Sequence, residues 1–195
     1  MSLNIYGLYQ NVRNASWQCL LDYNIKELPV NLLHITRESG IKTIKNSLVN
    51  ELAPSESGIS VRDGSQWFII YDDEDAVPRC RFTIAHELGH IFLGHELKKG
   101  YHTRTINLKK PESEKEADMF AARLLAPACV LWGLDLHTTD EIQHVCNISY
   151  TAAQARADRM KILYERNKFL TSRLEQKVFE NFREFIEKKK INENS

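Results

Sequence analysis

The chain has 195 residues, which is enough for one domain with its own hydrophobic core, or for a domain with a small appendage. Its 26 lysines and arginines balance its 26 aspartates and glutamates, so no overall field attracts nucleic acid or an anionic membrane. Four scattered cysteines without a CxxC pair or a secretory leader indicate reduced thiols, and the apolar runs are too short to span a membrane. We therefore expect a soluble cytoplasmic protein that neither associates with a membrane nor binds nucleic acid directly.

The first part of the chain predicts two helices and a small sheet. Apolar residues at helical spacing predict an amphipathic helix over 4–22. A second helix should begin at Pro29, which suits a first helical turn, and end at Gly40, a typical cap. β-branched and aromatic residues predict three strands, the last two joined as a hairpin by the turn sequence RDGS: 41–44, 58–61 and 66–71.

After the acidic loop DDEDAVP the pattern becomes helical and stays so almost to the end of the chain. The predicted helices are 81–96, 114–126, 128–135, 139–146, 150–166 and 170–188. Only the last residues, KKKINENS, have the composition of a solvated tail. The predicted fold class is α+β, with a small N-terminal sheet and a mainly helical body.

The stretch FTIAHELGHIFLGH contains an HExxH motif on one of these predicted helices. His86 and His90 are four residues apart, about 40° around a helix, so both rings can reach one metal ion. Glu87 lies beside that face, where it can hold a water as a general base rather than bind the metal. The apolar flanks favour a metal, because charged groups in such surroundings need a partner. The alternative is a helix with two core histidines satisfied by ordinary hydrogen bonds.

A third ligand is offered by PESEKEADMFAARLLAP. Glu114 and Asp118 share the inner face of a predicted helix, so Glu114 can bind the ion while Asp118 accepts a hydrogen bond from a ligating histidine. Glu116 competes for the role of ligand. However, Ser113-x-x-Glu116 matches a capping box, which would give Glu116 a structural task. We therefore favour Glu114 over Glu116.

The other histidines have weaker claims to the site. His95 is nine residues from His86, about 180° around the helix, so we expect it to face away from the ion, as a surface or helix-end histidine. Tyr101 and His102 follow in a loop that could fold over the site and donate hydrogen bonds to a developing oxyanion. The remaining histidines are expected to be structural: His34, His137 and His144.

The segments RFTIAHELGHIFLGH and SEKEADMFAARLLAP make the sequence resemble the ImmA/IrrE family of metallo-endopeptidases, a gluzincin-like group. The resemblance covers roughly residues 5 to 165, since ELPVNLLHITRESGIKTIK and CNISYTAAQARADRM also look like flanking segments of that family. It implies a zincin-like fold, one Zn²⁺ held by His86, His90 and Glu114, and Glu87 as catalytic base.

The resemblance also implies a biological role and a domain organisation. ImmA-type members are anti-repressors of mobile elements that cleave a helix-turn-helix transcriptional repressor, and this chain has no room for a fused DNA-binding domain. Its substrate would therefore be a separately encoded repressor.

We expect a metallopeptidase domain over 1–165 and a C-terminal helix and tail over 166–195, with an apolar stripe at Leu170, Leu174, Val178, Phe182 and Ile186. We interpret QWFIIY as the edge strand of the sheet, against which an extended substrate would lie. The alternative is a plain core strand.

A competing function is that of a regulatory or binding protein. Residues 138–160 read as helix, turn and helix, with Ser149 as a cap, a pattern typical of a helix-turn-helix. The second helix offers Arg156, Arg159 and Lys161, interrupted by Asp158, which is a weak basic face for DNA. A helical hairpin that packs on the catalytic body, or docks the repressor, is favoured. A purely structural zinc site is disfavoured, because it has no need of Glu87.

Overall fold

The computed structural model describes residues 12–95 and 111–193 of the chain. The described elements are, in order, α1 (Val12–Asp22), α2 (Leu32–Glu38), β1 (Lys42–Lys45), α3 (Asn46–Val49), β2 (Gly58–Asp63), β3 (Gln66–Tyr71), α4 (Val77–Leu93), α5 (Glu112–Leu125), α6 (Ala128–Gly133), α7 (Thr139–Cys146), α8 (Tyr150–Glu165), α9 (Arg173–Asn181) and α10 (Arg183–Glu193). A small sheet and a mainly helical body confirm the α+β class, and this composition agrees with a zincin-like fold. Residues 1–11, which include the start of the first predicted helix, lie outside the described part.

The described residues form two compact units, one of residues 12–15, 32–95 and 111–121 and the other of residues 16–31 and 122–193. The first unit contains the sheet, in which β3 pairs with β1 in parallel and with β2 in antiparallel. The β2–β3 hairpin was predicted, and its register runs from the Gly58–Tyr71 pair to the Asp63–Gln66 pair. The strand order is therefore β1-β3-β2.

The interpretation of QWFIIY as an edge strand is wrong. These residues form β3, which has a partner on each side, and Ile69 at its centre is fully buried. The reason is the parallel pairing with β1, a contact between segments distant in sequence that the local pattern does not reveal. The alternative, a plain core strand, is what the structure contains.

Helix α4 packs against β2 and β3 in the first unit. Gly58 on β2 makes this close approach feasible, because a Cβ there would lie 2.3 Å from Cγ2 of Thr83. Alternate residues of a strand point to the same face, so Gly58 and Ser60 both face the helix. The buried side of α4 continues with Leu88, Ile91 and Phe92.

Several helix boundaries differ from the prediction. α2 begins at Leu32 and not at Pro29, because proline fits the preceding turn as readily as a first helical turn. α4 begins at Val77 inside the segment predicted as an acidic loop, with a proline in its first turn, where the missing N–H costs no hydrogen bond. It ends at Leu93, because Gly94 takes a left-handed conformation with φ 72°.

The second unit contains α6, α7, α8, α9 and α10, together with most of α1 and the end of α5. The single helix predicted over 170–188 is two, α9 and α10, which are separated at Phe182. Val178, Phe182 and Ile186 of the predicted apolar stripe are buried. Gly133 at the end of α6 lets α9 pack closely against it, since a Cβ at residue 133 would lie 2.6 Å from the ring of Phe179.

The helix, turn and helix predicted over 138–160 are confirmed as α7 and α8. Thr138 and Glu141 form a reciprocal capping box at the start of α7, and Ser149 caps α8 by accepting a hydrogen bond from the N–H of Ala152. All four cysteines lie in the described ranges, and none of them forms a disulfide bond. Within the described ranges, no helix combines the length and the apolar character needed to cross a bilayer.

Candidate metal centre

Helix α4 presents His86 and His90 one turn apart, with their Nε2 atoms 3.0 Å from each other. Residues i and i+4 of a helix lie on the same face, so the spacing of the motif brings the two rings together. Their surroundings are protected from solvent, since the side chain of His86 is 12 % exposed and that of His90 is 3 % exposed. The predicted pairing of the two histidines is therefore present in the structure.

Glu114 in the first turn of α5 completes a group of three. Its Oε1 lies 3.1 Å from Nε2 of His90 and its Oε2 lies 3.4 Å from Nε2 of His86. Ligand atoms around a tetrahedral ion with bonds of about 2.0–2.1 Å are about 3.3 Å apart, so these separations fit a bound cation. The group His86, His90 and Glu114 could hold a metal ion, with all ligand atoms within 4.8 Å of one another.

Asp118, one turn after Glu114, contacts the outer nitrogen of His86. Its Oδ1 lies 2.9 Å from Nδ1 of His86, the geometry in which a carboxylate fixes the tautomer that leaves Nε2 free to bind a metal. Burial lowers the pKa of His86, but hydrogen bonds to Asp118 and Glu114 outweigh it and raise the pKa to about 9. The pocket therefore favours a positive charge at this position, which a metal ion can supply in place of a proton.

Glu87 follows His86 on α4 and contacts the sheet. It is 3 % exposed, and its Oε2 accepts a hydrogen bond of 2.7 Å from the hydroxyl of Ser60 on β2. The carboxylate thus has one oxygen engaged by the sheet and lies beside the two histidines of the motif. Sequence reasoning did not find Ser60, because nothing in a lone serine of a short strand marks it as a neighbour of the motif.

The model of the Peptidase_M78 family, described as the IrrE N-terminal-like domain, matches residues 36–158, more than half of the chain. The chain belongs to this family. A comparison with curated proteins found no match. Membership confirms the resemblance to the ImmA/IrrE metallopeptidases, and a peptidase family implies a protein substrate.

His95 of this M78 peptidase lies at the end of the helix, as one predicted alternative had it, but its ring turns towards His90 and not away from the site. Its Nδ1 lies 3.1 Å from Nδ1 of His90, and its Nε2 lies 3.0 Å from Oε2 of Glu116. Counting 100° per residue fails at this point because the helix has already ended at Leu93, and Gly94 turns the chain back. The glycine one residue before His95 was the signal in the sequence that could have revealed this.

The predicted capping box between Ser113 and Glu116 is also absent. α5 begins at Glu112, so Ser113 lies inside the helix and cannot be its N-cap. The carboxylate of Glu116 is directed to His95 instead, whereas Glu114 contacts both histidines of the motif. This arrangement supports Glu114 rather than Glu116 as the third ligand.

The predicted oxyanion donors of the M78 peptidase, Tyr101 and His102, lie outside the described residues. Among the other histidines, His137 pairs with Asp135 at 3.0 Å and stacks on Tyr164, with ring centroids 4.4 Å apart, in the second unit. His144 is exposed on α7.

Proposed function

We propose that the protein is a cytoplasmic zinc metallo-endopeptidase that cleaves a separately encoded helix-turn-helix repressor, and so acts as the anti-repressor of a mobile element. His86, His90 and Glu114 are the proposed zinc ligands, with Asp118 orienting His86. The observation that carries this proposal is the convergence of these three ligand residues beside a buried glutamate. We assign the catalytic domain to residues 1–165, which contain the whole matched range of 36–158, with 166–195 as its C-terminal extension.

The proposed mechanism assigns proton transfer to Glu87. Held by His86, His90 and Glu114, a zinc ion would supply Lewis acidity to a water and to the scissile carbonyl. Ser60 engages Oε2 of Glu87, so Oε1 remains to accept the proton of the attacking water. Glu87 then passes that proton to the leaving amine as the peptide C–N bond breaks, which restores the carboxylate for another turnover.

The choice of zinc rests on the donor set. Two imidazole nitrogens and one carboxylate oxygen, with a fourth position left to water, form the ligand set typical of catalytic zinc. A structural zinc site usually closes its fourth position with a protein ligand and has no use for a base beside it. The burial of Glu87 next to the histidines supports the catalytic interpretation.

The first experiment measures metal content per chain and cleavage of co-expressed helix-turn-helix repressors in parallel. The wild type should hold about one zinc per chain and cut one repressor at a defined bond. Glu87→Gln should keep the metal and lose about 10²–10⁴-fold in turnover, because it removes only the general base. Glu114→Ala should lose the metal.

The same experiment can overturn the proposal. Equal turnover by the wild type and Glu87→Gln would exclude the mechanism, and a folded wild type that takes up no supplied zinc would exclude the proposed zinc dependence. An active enzyme that leaves every helix-turn-helix repressor intact but cleaves another protein would leave the chemistry standing and exclude the anti-repressor role. The new N-termini, read by mass spectrometry, distinguish these cases.

The second candidate is a regulatory protein that acts through the α7–α8 hairpin without proteolysis. The paired helices favour it, but the basic residues do not. Arg156 is half-buried, its Nε is buried and has no hydrogen-bond partner among the described residues, and burial lowers its pKa to about 10. Arg159 is exposed next to the exposed carboxylate of Asp158. This candidate predicts salt-dependent DNA binding that Arg159→Ala weakens, measured by titration at several salt concentrations.

A further inference from the structure

A third histidine lies against the outer nitrogen of His90. α4 ends in a Schellman motif, in which the N–H of Gly94 donates to the carbonyl of Ile91 at 3.2 Å and the N–H of His95 donates to that of His90 at 3.0 Å. The second bond ties the backbone of His95 to the residue whose ring it touches. The two rings meet edge to face, with centroids 5.0 Å apart. The position of His95 is therefore fixed by the way the helix ends.

A carboxylate lies on the far side of His95. Its Nε2 is 3.0 Å from Oε2 of Glu116, and its side chain is only 11 % exposed. The contacts thus form a continuous series from Nδ1 of His90, through both nitrogens of His95, to Glu116. Nδ1 of His90 and both ring nitrogens of His95 therefore each have a partner.

Only one placement of the protons satisfies all these contacts when a metal occupies the site. A metal on Nε2 of His90 leaves the ring proton on Nδ1, and this N–H must donate to Nδ1 of His95. His95 must then be neutral with its proton on Nε2, where it donates to the carboxylate of Glu116. The carboxylate of Glu116 accepts this hydrogen bond, and the series of contacts ends there.

The two histidines of the motif are thus supported in different ways from the same helix. The outer nitrogen of His86 contacts a carboxylate of α5 directly, at Asp118, whereas the outer nitrogen of His90 reaches one, at Glu116, through the ring of His95. We propose that His95 and Glu116 are positioning residues that hold the ring of His90 in the orientation and tautomer required for metal binding. This inference rests on the metal site of the proposed function. Neither residue touches the metal or the reacting atoms.

The test compares metal affinity in His95→Ala, His95→Asn, Glu116→Ala and the wild type, by competition with a chelating dye for Zn²⁺ and Co²⁺. Removing a residue that orients a metal ligand lowers metal affinity about 10–100-fold. We expect a loss of this size in His95→Ala and a smaller one in Glu116→Ala. His95→Asn should recover much of the affinity, because its side-chain oxygen can accept the hydrogen bond of His90 near the position of Nδ1.

The control is Glu112→Ala, which removes an exposed carboxylate of the same helix that pairs with Lys115 and not with a histidine. It should bind metal as the wild type does. The metal-free forms of all variants should unfold at similar temperatures, which separates positioning from a purely structural role. In the zinc-loaded wild type, ¹⁵N shifts of the histidine rings should show Nδ1 of His90 and Nε2 of His95 protonated.

The outcomes separate this inference from the function on which it rests. Metal affinity in His95→Ala equal to that of a metal-binding wild type, or a zinc-loaded wild type with the opposite tautomer at His95, would overturn the positioning role alone. A folded wild type that takes up neither Zn²⁺ nor Co²⁺ would overturn both the inference and the proposed function.

Discussion

At the scale of single residues, Ser60 is the only hydrogen-bond donor recorded for the carboxylate of Glu87 in the described structure, at 2.7 Å from Oε2. Ser60→Ala should lower kcat about tenfold, equivalent to the roughly 1.4 kcal/mol that one such hydrogen bond contributes. Metal content should not change, because Ser60 does not contact the ligands. Steady-state cleavage of the identified substrate measures the effect.

The matched control is Ser60→Thr, which retains a hydroxyl at the same position on β2 and should keep most of the activity. A value of kcat for Ser60→Ala equal to that of the wild type would show that Glu87 does not need this contact to act as a base.

The residues of the site differ in how well the sequence predicts them. His86, Glu87 and His90 lie within one helical turn and a half, where periodicity alone sets their relation. Ser60 comes to Glu87 only through the position of β2 against α4, and such a contact leaves no local pattern. His95 was misplaced for a different reason, because helical periodicity was extended past the end of the helix.

At the scale of helices and strands, Gly89 sets the distance between α4 and α5. A Cβ at this position would lie 3.1 Å from Cα of Ala117 and 3.2 Å from Cβ of Phe120. Gly89→Ala would gain about 1 kcal/mol in helix propensity, but overpacking a tight contact costs about 1–3 kcal/mol. We expect a net loss in stability of about 1 kcal/mol.

The same substitution should also weaken metal binding, because Glu114 is carried by the helix that would be pushed away. Thermal unfolding and a metal titration measure the two effects. Gly89→Ala with greater stability and unchanged affinity would mean that the helices adjust without moving the ligand.

The capping box of α7 predicts a dependence of stability on pH. The carboxylate of Glu141 accepts hydrogen bonds from the backbone N–H groups of Thr138 and His137, which lower its pKa below the ordinary value of 4.5. A lowered pKa stabilises the fold above the pKa of the unfolded chain, and this stability is lost as pH falls through the folded value. Relative to Glu141→Gln, the wild type should be more stable by about 0.3–1 kcal/mol near pH 7.

This advantage should disappear as the pH drops from 5 towards 3, because the protonated acid then resembles the amide. Urea unfolding of both proteins across that range measures the difference. An advantage that stays constant down to pH 3 would contradict the assigned cause.

The elements themselves were predicted more reliably than their pairing. The hairpin of β2 and β3, the helices α7 and α8, and the existence of β1 follow from local patterns. The order of the strands does not, because the parallel pairing of β1 with β3 joins segments separated by α3 and β2. The shift of α4 to Val77 has a local cause, since proline tolerates the first helical turn as well as a loop.

At the scale of the whole molecule, a metal ion bound only by the folded protein adds to its stability. At a free metal concentration 100 times the dissociation constant, the added stability is about 2.7 kcal/mol. Chelation should therefore lower the unfolding temperature of the wild type, and added zinc should restore it. Glu114→Ala should unfold at the same temperature with or without metal, whereas Glu112→Ala should respond as the wild type does.

If neither chelator nor zinc changes the unfolding temperature of the wild type, the predicted ligand set is contradicted. The family match and the fold class support the metallopeptidase at this scale, and the sequence anticipated both. The substrate does not follow from the sequence, because a peptidase recognises a particular protein through an extended surface rather than a local motif.

The helix that carries the HELGH motif is anchored on two sides by different parts of the first unit. Glu87 is tied to the sheet through Ser60, whereas the histidines are tied to α5 through Glu114 and Asp118. Substitutions should therefore fall into two genetic classes. Those that break the sheet contact should give enzymes that hold metal but turn over slowly, and those that break the α5 contacts should give enzymes that excess zinc rescues. A change that compensates for a defect of one class should not relieve a defect of the other.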